Sequence, residues 1–410
     1  MKFIDLFAGA GGLSEGFVEI GFEPVVHVEL DSHACRTLET RLVYHKLKKE
    51  NKLQYYYQYL KGNIDRETFI NKYGNKQISN SILNKEIGKD NQYIFDSIDK
   101  KLKKSNVELI IGGPPCQAYS LVGRARDKNN MKNDPRNFLY IEYGKFLQKY
   151  TPKVFVFENV IGLITANNGK YFKDMQSYFK QIGYHIDYQI QNSEHFGVLQ
   201  KRKRIILIGW QKNLNFQYPN FDNHTYSFNI RDILSDLKKL KPGEENNITN
   251  YTKKPNDYLK QFSIRTEQEP FATLHIARPH NERDLKIYNI AIKKWLDKKE
   301  RLKYPDLPEE LKTHKNQKSF LDRYKVVDIF GLSHTMVAHI AKDGHHYIYP
   351  DKNQVRSLSV REAARIQSFP DNYYFEGGRS AAFKQIGNAV PPLMSKEIAK
   401  KIKELLCQKN

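Results

Sequence analysis

A cysteine displayed at the end of one apolar run, an acid at the end of another and a basic cluster at the start of a third are the groups in this chain that could do chemistry. In Leu109-Ile-Ile-Gly-Gly-Pro-Pro-Cys116 the apolar run is stopped by two glycines and two prolines, a rigid turn poor in N–H donors, and the next side chain is a thiol. A thiolate can add to an electron-poor carbon and later leave it. Glu158 closes the run Lys153-Val-Phe-Val-Phe157, and Gln200, Arg202 and Arg204 lead into Ile205-Ile-Leu-Ile208. An arginine entering a core strand must find a partner there. A second group of signals surrounds Phe7-Ala-Gly-Ala-Gly-Gly12, where Gly9, Gly11 and Gly12 let a ligand approach the backbone, and Glu29, twenty residues after Gly9, can accept ribose hydroxyls. Position 14 is Ser and no Lys-Ser/Thr pair follows, so the turn suits a nucleoside cofactor without a pyrophosphate.

These groups converge only if their strands share an edge. Residues 2–7, 24–28, 107–111 and 153–157 read as strands buried in a parallel sheet, whose ligands sit at the carboxyl ends. Leu13, Phe17 and Ile20 make a helix after the glycine turn, residues 139–150 another, and Ser359 with Glu362 forms a capping box for a third. Gly387-Asn-Ala-Val-Pro-Pro392 is expected to start the last helix, over residues 393–406. The Lys-, Asn- and Tyr-rich residues 42–104 read as a solvated helical insertion without chemistry of its own. Within it either Asn63 or Asp96 could end a third strand and meet an adenine, and spacing to Cys116 favours Asp96. Residues 117–136, with Arg124 and Arg126, make a basic loop beside the thiol that suits a lid. After Trp210 the strand-helix rhythm stops, giving short β-like pieces and one helix near 285–302. The domains are therefore 1–212, carrying the insertion, then a second, smaller, mixed domain at 213–349, and a segment at 350–410 that returns to the first.

Lys+Arg 67 against Asp+Glu 46 gives a formal charge of +21 over 410 residues, and 40% hydrophobic residues support real cores. A spread positive field favours a polyanion, and no long apolar span or basic amphipathic anchor points to a membrane. Three cysteines, Cys35, Cys116 and Cys407, are too few and scattered for a disulfide framework or a zinc site, which implies a reducing compartment. The histidines lack metal-ligand spacing, and no signal-peptide pattern opens the chain, so a cytoplasmic protein is expected.

In this order the motifs resemble the cytosine-5 DNA methyltransferases: residues 3–17, Glu29, the Pro-Pro-Cys-Gln stretch, Glu158-Asn-Val160, residues 200–204, 361–370 and 387–392. The likeness covers about residues 1–40, 107–210 and the C-terminal 60 or so. It implies an S-adenosylmethionine-dependent methyltransferase with a Rossmann-like sheet and a target recognition domain. The implied reaction is methyl transfer to C5 of a cytosine flipped out of duplex DNA. By residue, it implies Cys116 as nucleophile, Glu158 on the cytosine N3 and amino edge, and Arg204 on its O2, supported by Arg202 and Gln200. The cofactor is implied to meet Phe7, Gly9, Gly11, Gly12, Glu29, Asp96, Pro114, Asn388 and Val390, and no metal is implied. DNA contacts are implied for Gln117, Ser120, Arg124, Arg126 and Thr335, the last in a Thr-plus-apolar element with Met336 where Ile, Leu or Val is commoner. Double-stranded DNA is the implied partner of a monomer, and a restriction endonuclease acting on the same site is left open. A tRNA methyltransferase would share Cys116, but the large second domain argues for DNA. A catalytically silent relative would be expected to lose Cys116, Glu158 or Arg204, and a cysteine hydrolase would need a histidine beside Cys116 that no motif supplies.

Overall fold

The structure, a computed structural model, describes residues 1–103, 105–115, 138–313 and 321–408. Runs of Val, Ile, Leu and Phe without alternation form the central strands, buried on both faces, of a seven-stranded sheet. Its strands are β1 (Lys2–Leu6), β2 (Glu23–Glu29), β3 (Ile82–Asn84), β4 (Leu109–Gly112), β5 (Val154–Asn159), β6 (Tyr184–Asn192) and β8 (Lys203–Gln211), in the order β3-β2-β1-β4-β5-β8-β6. The pairs among β1 to β5 are parallel, whereas β8 runs antiparallel to both β5 and β6. The chain order reverses between β1 and β4, so a crevice opens there at the carboxyl ends. The glycine turn flanks it on one side and the Gly-Gly-Pro-Pro turn on the other. Expected strands and helices at residues 2–7, 24–28, 107–111 and 139–150 lie within a residue or two of their places.

Helix α1 (Gly12–Glu19) and the last helix (Pro392–Cys407) cross against one face of the sheet. They approach closely because α1 has glycine at the contact: a Cβ on Gly12 would stand 2.4 Å from the Val390 carbonyl oxygen, and one on Gly16 only 2.3 Å from the Lys396 nitrogen. The Ser395 hydroxyl also donates to the Leu13 carbonyl. Gly387 and Asn388, expected to begin that last helix, instead close the preceding one, Arg379–Asn388, and Pro392 starts the next with the fixed φ that suits a first helical position.

Residues 42–104 are not the solvated insertion anticipated. Helices α2 (Ser32–Lys49), α3 (Leu53–Leu60) and α4 (Arg66–Tyr73) enclose a small core of Val43, Tyr44, Leu47, Tyr56, Leu60 and Phe69, against which Phe271 packs from the second part of the chain. The same stretch supplies β3. Asp96 lies in the helix Asn91–Leu102, exposed and bonded to Gln92, while Asn63 sits in the turn after α3; neither ends a strand. The third strand ends at Asn84, and its three residues are too few to display a period.

Beyond the sheet, β9 (Glu245–Thr249) pairs antiparallel with β10 (Ala272–Ile276), and a helix runs over Glu282–Lys298. The core around β10 contains Ile230, Leu259, Val327, Met336 and Tyr347, but also Ala363, Ile366, Phe383 and Ile386 from the helices Val360–Ile366 and Arg379–Asn388. Those two helices thus complete the second core, while the last helix crosses α1. The capping box of Ser359 and Glu362 is present. No helix among the described residues is long and apolar enough to cross a membrane.

Gly16→Ala should separate helix propensity from packing. Alanine is the better helix former by about 1 kcal/mol, yet the added methyl collides with backbone. A net loss of at least about 1–3 kcal/mol in urea unfolding is expected; unchanged or raised stability would contradict the close crossing.

Candidate active site

The site is built where parallel strands end and the antiparallel one begins. Because β5 and β8 run in opposite directions, Glu158 near the end of β5 pairs in register with Ile206, which brings Arg204, two residues earlier, level with the strand's exit. Arg204 Nε donates to Glu158 Oε1 at 2.8 Å, with about a tenth of each side chain exposed. The other carboxylate oxygen faces Gly113: a Cβ there would stand 2.8 Å from Glu158 Oε2. Glycine at 113 therefore makes room for the acid beside the turn that leads to Cys116. Asn159, to which no role was assigned from the sequence, is buried and donates from Nδ2 to the Pro114 carbonyl at 3.2 Å, while its Oδ1 accepts from the Val160 N–H at 2.9 Å. It fixes the turn to the strand that carries Glu158. Pro115 is exposed and is the last described residue before the thiol. Cys116, Gln117, Ser120, Arg124 and Arg126 lie outside the described residues, as does the expected lid.

Across the crevice, the glycine turn is held by Glu29. Its Oε2 accepts from the Gly9 N–H and its Oε1 from the Asp31 N–H, each at 2.8 Å. Burial pushes the Glu29 carboxyl pKa up, and those two backbone donors pull against it. Phe7 turns the chain sharply at the end of β1 with φ +57°, a conformation rare for a bulky residue. Gly9, at φ +54°, has no atom of the described residues within 4 Å of the place a Cβ would take. Gly11 and Gly12 differ: a Cβ on Gly11 would meet Leu38 at 2.8 Å and Tyr373 at 2.9 Å, and one on Gly12 the Val390 carbonyl. Those two glycines are required by packing under the turn. Leu30, 62% exposed directly after Glu29, and Asn84, whose Nδ2 donates to the carbonyls of Glu29 and Leu30, complete this edge in place of Asp96. Asn388 is exposed at its helix end, and Val390 is buried against Gly12.

Gln200 and Arg202, expected beside the base, are buried with their polar groups bonded to protein. The Gln200 amide donates to Gln367 Oε1 at 2.5 Å and accepts from the Met336 N–H at 2.6 Å. Arg202 donates to the carbonyls of Met336 at 2.5 Å and Ala389 at 2.9 Å. The reason is local pairing: β7 (Gln200–Lys201) runs parallel to β11 (Ser333–His334), which puts the segment after β11 over both side chains. The Thr335 hydroxyl donates to the Lys201 carbonyl at 2.6 Å in the same join. No group of three or more His, Cys, Asp or Glu among the described residues could hold a metal ion.

Comparison with known proteins finds relatives along nearly the whole chain. The family described as C-5 cytosine-specific DNA methylase matches residues 1–66 and 67–404. The type II methyltransferase M.Bpa9945I of Bacillus paralicheniformis is 45% identical over 443 residues, covering 99% of this chain and 99% of that protein. The type II methyltransferase M1.HphI of Haemophilus parahaemolyticus is 28% identical over 402 residues, covering 98% of this chain and 86% of its own. Among solved structures, an E. coli prophage protein described as a DNA modification methyltransferase superposes with TM-score 0.67 at 22% identity over 100% of both chains. The Entamoeba histolytica methyltransferase EhMeth gives 0.57 at 13% identity, over 100% of this chain and 99% of that one. At such identities the solved structures speak to the fold, which is the Rossmann-like α/β sheet anticipated.

If the Glu158–Arg204 contact is a true interaction in a partly dry site, a double-mutant cycle with Glu158→Gln and Arg204→Met should give a coupling of about 1–3 kcal/mol in urea unfolding. Additive effects would show instead that the two groups are independently solvated.

Proposed function

The chain belongs to the C-5 cytosine-specific DNA methylases, and from that premise we propose which of its residues methylate the base and how. It is an enzyme of sequence-specific cytosine-5 DNA methylation. Catalysis and cofactor binding fall to residues 1–212, target recognition to 213–349, and 350–410 join the two. The observation that carries the assignment is the Glu158–Arg204 pair packed against the Gly-Gly-Pro-Pro turn that delivers Cys116.

Cytosine C5 is a weak nucleophile, so a thiolate must first add to C6. Cys116 makes that bond, and the electron pair released from the C5–C6 double bond makes C5 able to attack. Glu158 holds the N3 and amino edge and shares a proton at N3, which stabilises the charge arriving on the ring. Arg204 holds O2 and keeps Glu158 oriented through its 2.8 Å contact. Once C5 has taken the methyl, loss of the C5 proton to a base restores the C5–C6 double bond, expels the Cys116 thiolate and leaves 5-methylcytosine. Gln200, Arg202 and Thr335 act one step back, tying the second core to the strand that bears Arg204.

The described residues fit S-adenosylmethionine. The half-buried Glu29 carboxylate stands beside a Gly9 backbone whose Cβ side no described residue covers, and Leu30 leaves an apolar face exposed on the same edge. When bound there, S-adenosylmethionine supplies a methyl on positively charged sulfur as the electrophile. Glu29 accepts the ribose hydroxyls, Phe7 and Leu30 line the adenine, Gly9 lies against the amino-acid end, and Asn84 stands at the adenine edge in the role first given to Asp96. Pro114, Asn388 and Val390 border the same crevice, and Gly11 and Gly12 keep the turn close to its neighbours. Gln117, Ser120, Arg124 and Arg126 follow Cys116 in the chain and are assigned to the flipped cytosine and the DNA backbone. A flipped base costs a few kcal/mol, roughly, which pocket contacts offset. We infer a cytoplasmic monomer acting on duplex DNA, and the type II names of its relatives support a restriction endonuclease of matching specificity as its companion.

Cys116→Ser should abolish transfer of tritium from labelled S-adenosylmethionine while leaving duplex binding within about threefold, because one thiol carries the chemistry and many phosphate contacts carry affinity. Bisulfite sequencing of DNA from expressing cells should show one recurring sequence methylated at cytosine, which supplies the cognate duplex; random or absent protection would overturn site-specific methylation. That duplex with 5-fluorocytosine at the target should then trap a covalent adduct on a denaturing gel. Its absence with an active enzyme would remove Cys116 from the nucleophile's role.

A further inference from the structure

The turn that follows the helix Val360–Ile366 touches three parts of the protein at once. Asp371 accepts from Arg365 at 2.8 and 2.6 Å, and Arg365 also donates to Asp236 at 2.5 Å. Arg361 donates to the carbonyls of Thr273 and Tyr373, each at 2.9 Å. Both arginines therefore anchor the turn to the second core. On its other side, the Asn372 carbonyl accepts from Arg41 at 3.1 Å and from the Tyr56 hydroxyl at 2.8 Å, which are residues of α2 and α3. Between these anchors Tyr373 is wholly buried. Its ring lies 4.8 Å from that of Phe369 and 4.6 Å below the Arg41 guanidinium, so its direction is set by packing.

That direction is toward the glycine turn. The Tyr373 hydroxyl donates to the Ala10 carbonyl and stands 2.9 Å from where a Gly11 Cβ would be. It bonds the underside of the peptide that separates Gly9 from Gly11. The Ala10 carbonyl lies in the planar unit joining Ala10 to Gly11, so fixing it inward sets Ala10 ψ and Gly11 φ directly, and holds Gly9 in place through its bond to Ala10. Among the described residues nothing touches the place of a Gly9 Cβ, so its conformation rests on the bonds of the turn: Glu29 on the Gly9 N–H, the Gly11 N–H on the Ala8 carbonyl at 3.0 Å and, through Ala10, Tyr373.

We propose that Tyr373 is a positioning residue for cofactor binding, holding the Gly9–Gly11 turn in its binding conformation through the Ala10 carbonyl and anchoring it to the second core. The proposal rests on the assignment of that turn to S-adenosylmethionine. Tyr373→Phe keeps the ring and its packing and deletes one hydrogen bond, leaving a buried carbonyl unpaired.

The full-length Tyr373→Phe variant is titrated with S-adenosylmethionine and with S-adenosylhomocysteine by calorimetry, without DNA, and assayed on the cognate duplex. A rise of roughly 3- to 10-fold in both dissociation constants and in the cofactor KM is expected, with kcat and the DNA KM within about twofold. A purely structural role would lower the melting temperature and leave the dissociation constants unmoved, and that result overturns the proposal. Should the variant melt early, titration at a temperature where it stays folded still decides. Tyr374→Phe, one residue on, serves as the control and should leave cofactor binding unchanged; an equal loss there would also overturn the assignment to Tyr373. Glu29→Ala separates the two levels. If it leaves cofactor affinity intact, the assignment of the turn itself falls; if it weakens binding and Tyr373→Phe does not, only the present proposal falls.

Discussion

An arginine taken out of water must find acceptors for its guanidinium inside the protein, and much of this structure follows from that requirement. Arg202, Arg356, Arg361 and Arg365 are each at most 1% exposed. Arg356 is matched by both oxygens of Glu362, each at 2.7 Å, and Arg365 by Asp236 and Asp371. Arg202 donates to carbonyls more than 130 residues away in the chain, and Arg361 to the Thr273 carbonyl 88 residues away as well as to the nearby Pro370 and Tyr373 carbonyls. No one segment could supply these acceptors. The second core, the segment after β11 and the C-terminal helices must therefore assemble together, or several charges are left buried without partners. Such networks add less to net stability than to uniqueness of arrangement, which here is the relative position of the second core and the sheet.

The same logic governs the crevice. Parallel strands β1, β2, β4 and β5 end on one side, delivering Phe7, Glu29, the proline turn and Glu158 to a common edge. A basic group could not reach that edge from another parallel strand's start, which lies at the far side of the sheet. The reversed direction of β8 solves this, because its first residues stand where β5 finishes. Small residues then set distances: Gly113 admits Glu158, and Gly12 and Gly16 admit the last helix. Glu15, buried at the start of α1, is held ionised in the same region: against the upward push of burial, Arg41 and His45 keep its carboxyl well below the usual range.

Legibility in the sequence followed the length and purity of each signal. Long apolar runs ending in a polar residue, such as 153–158, announced both strand and site, and Ser359 with Glu362 announced a helix start through a local bond. The three-residue β3 carried no period, so Asp96 took a place that belongs to Asn84. Residues 42–104 looked solvated because lysine and asparagine are frequent among them, yet their tyrosines bury rings while their hydroxyls bond to the C-terminal turn, as Tyr56 and Tyr59 do. Gln200, Arg202 and Arg204 shared a motif at a spacing of two, which would put them on one face of a single strand, but Gln200 lies in β7 and Arg204 in β8, so they meet different partners.

What the sequence by itself determined is the set of chemical groups and the local elements that carry them: a thiol after a rigid turn, acids at strand ends, glycines where the backbone must be bare. These are consequences of residue type and of contacts within a few positions. What only the tertiary structure decided is which groups meet. Glu158 faces Arg204 because β8 is antiparallel, Asn159 grips Pro114 because β4 and β5 are neighbours, and Tyr373 reaches Ala10 across 363 positions of chain. Such pairings depend on strand order and direction, which are chosen by the burial of the whole core and are not written in any one stretch of it.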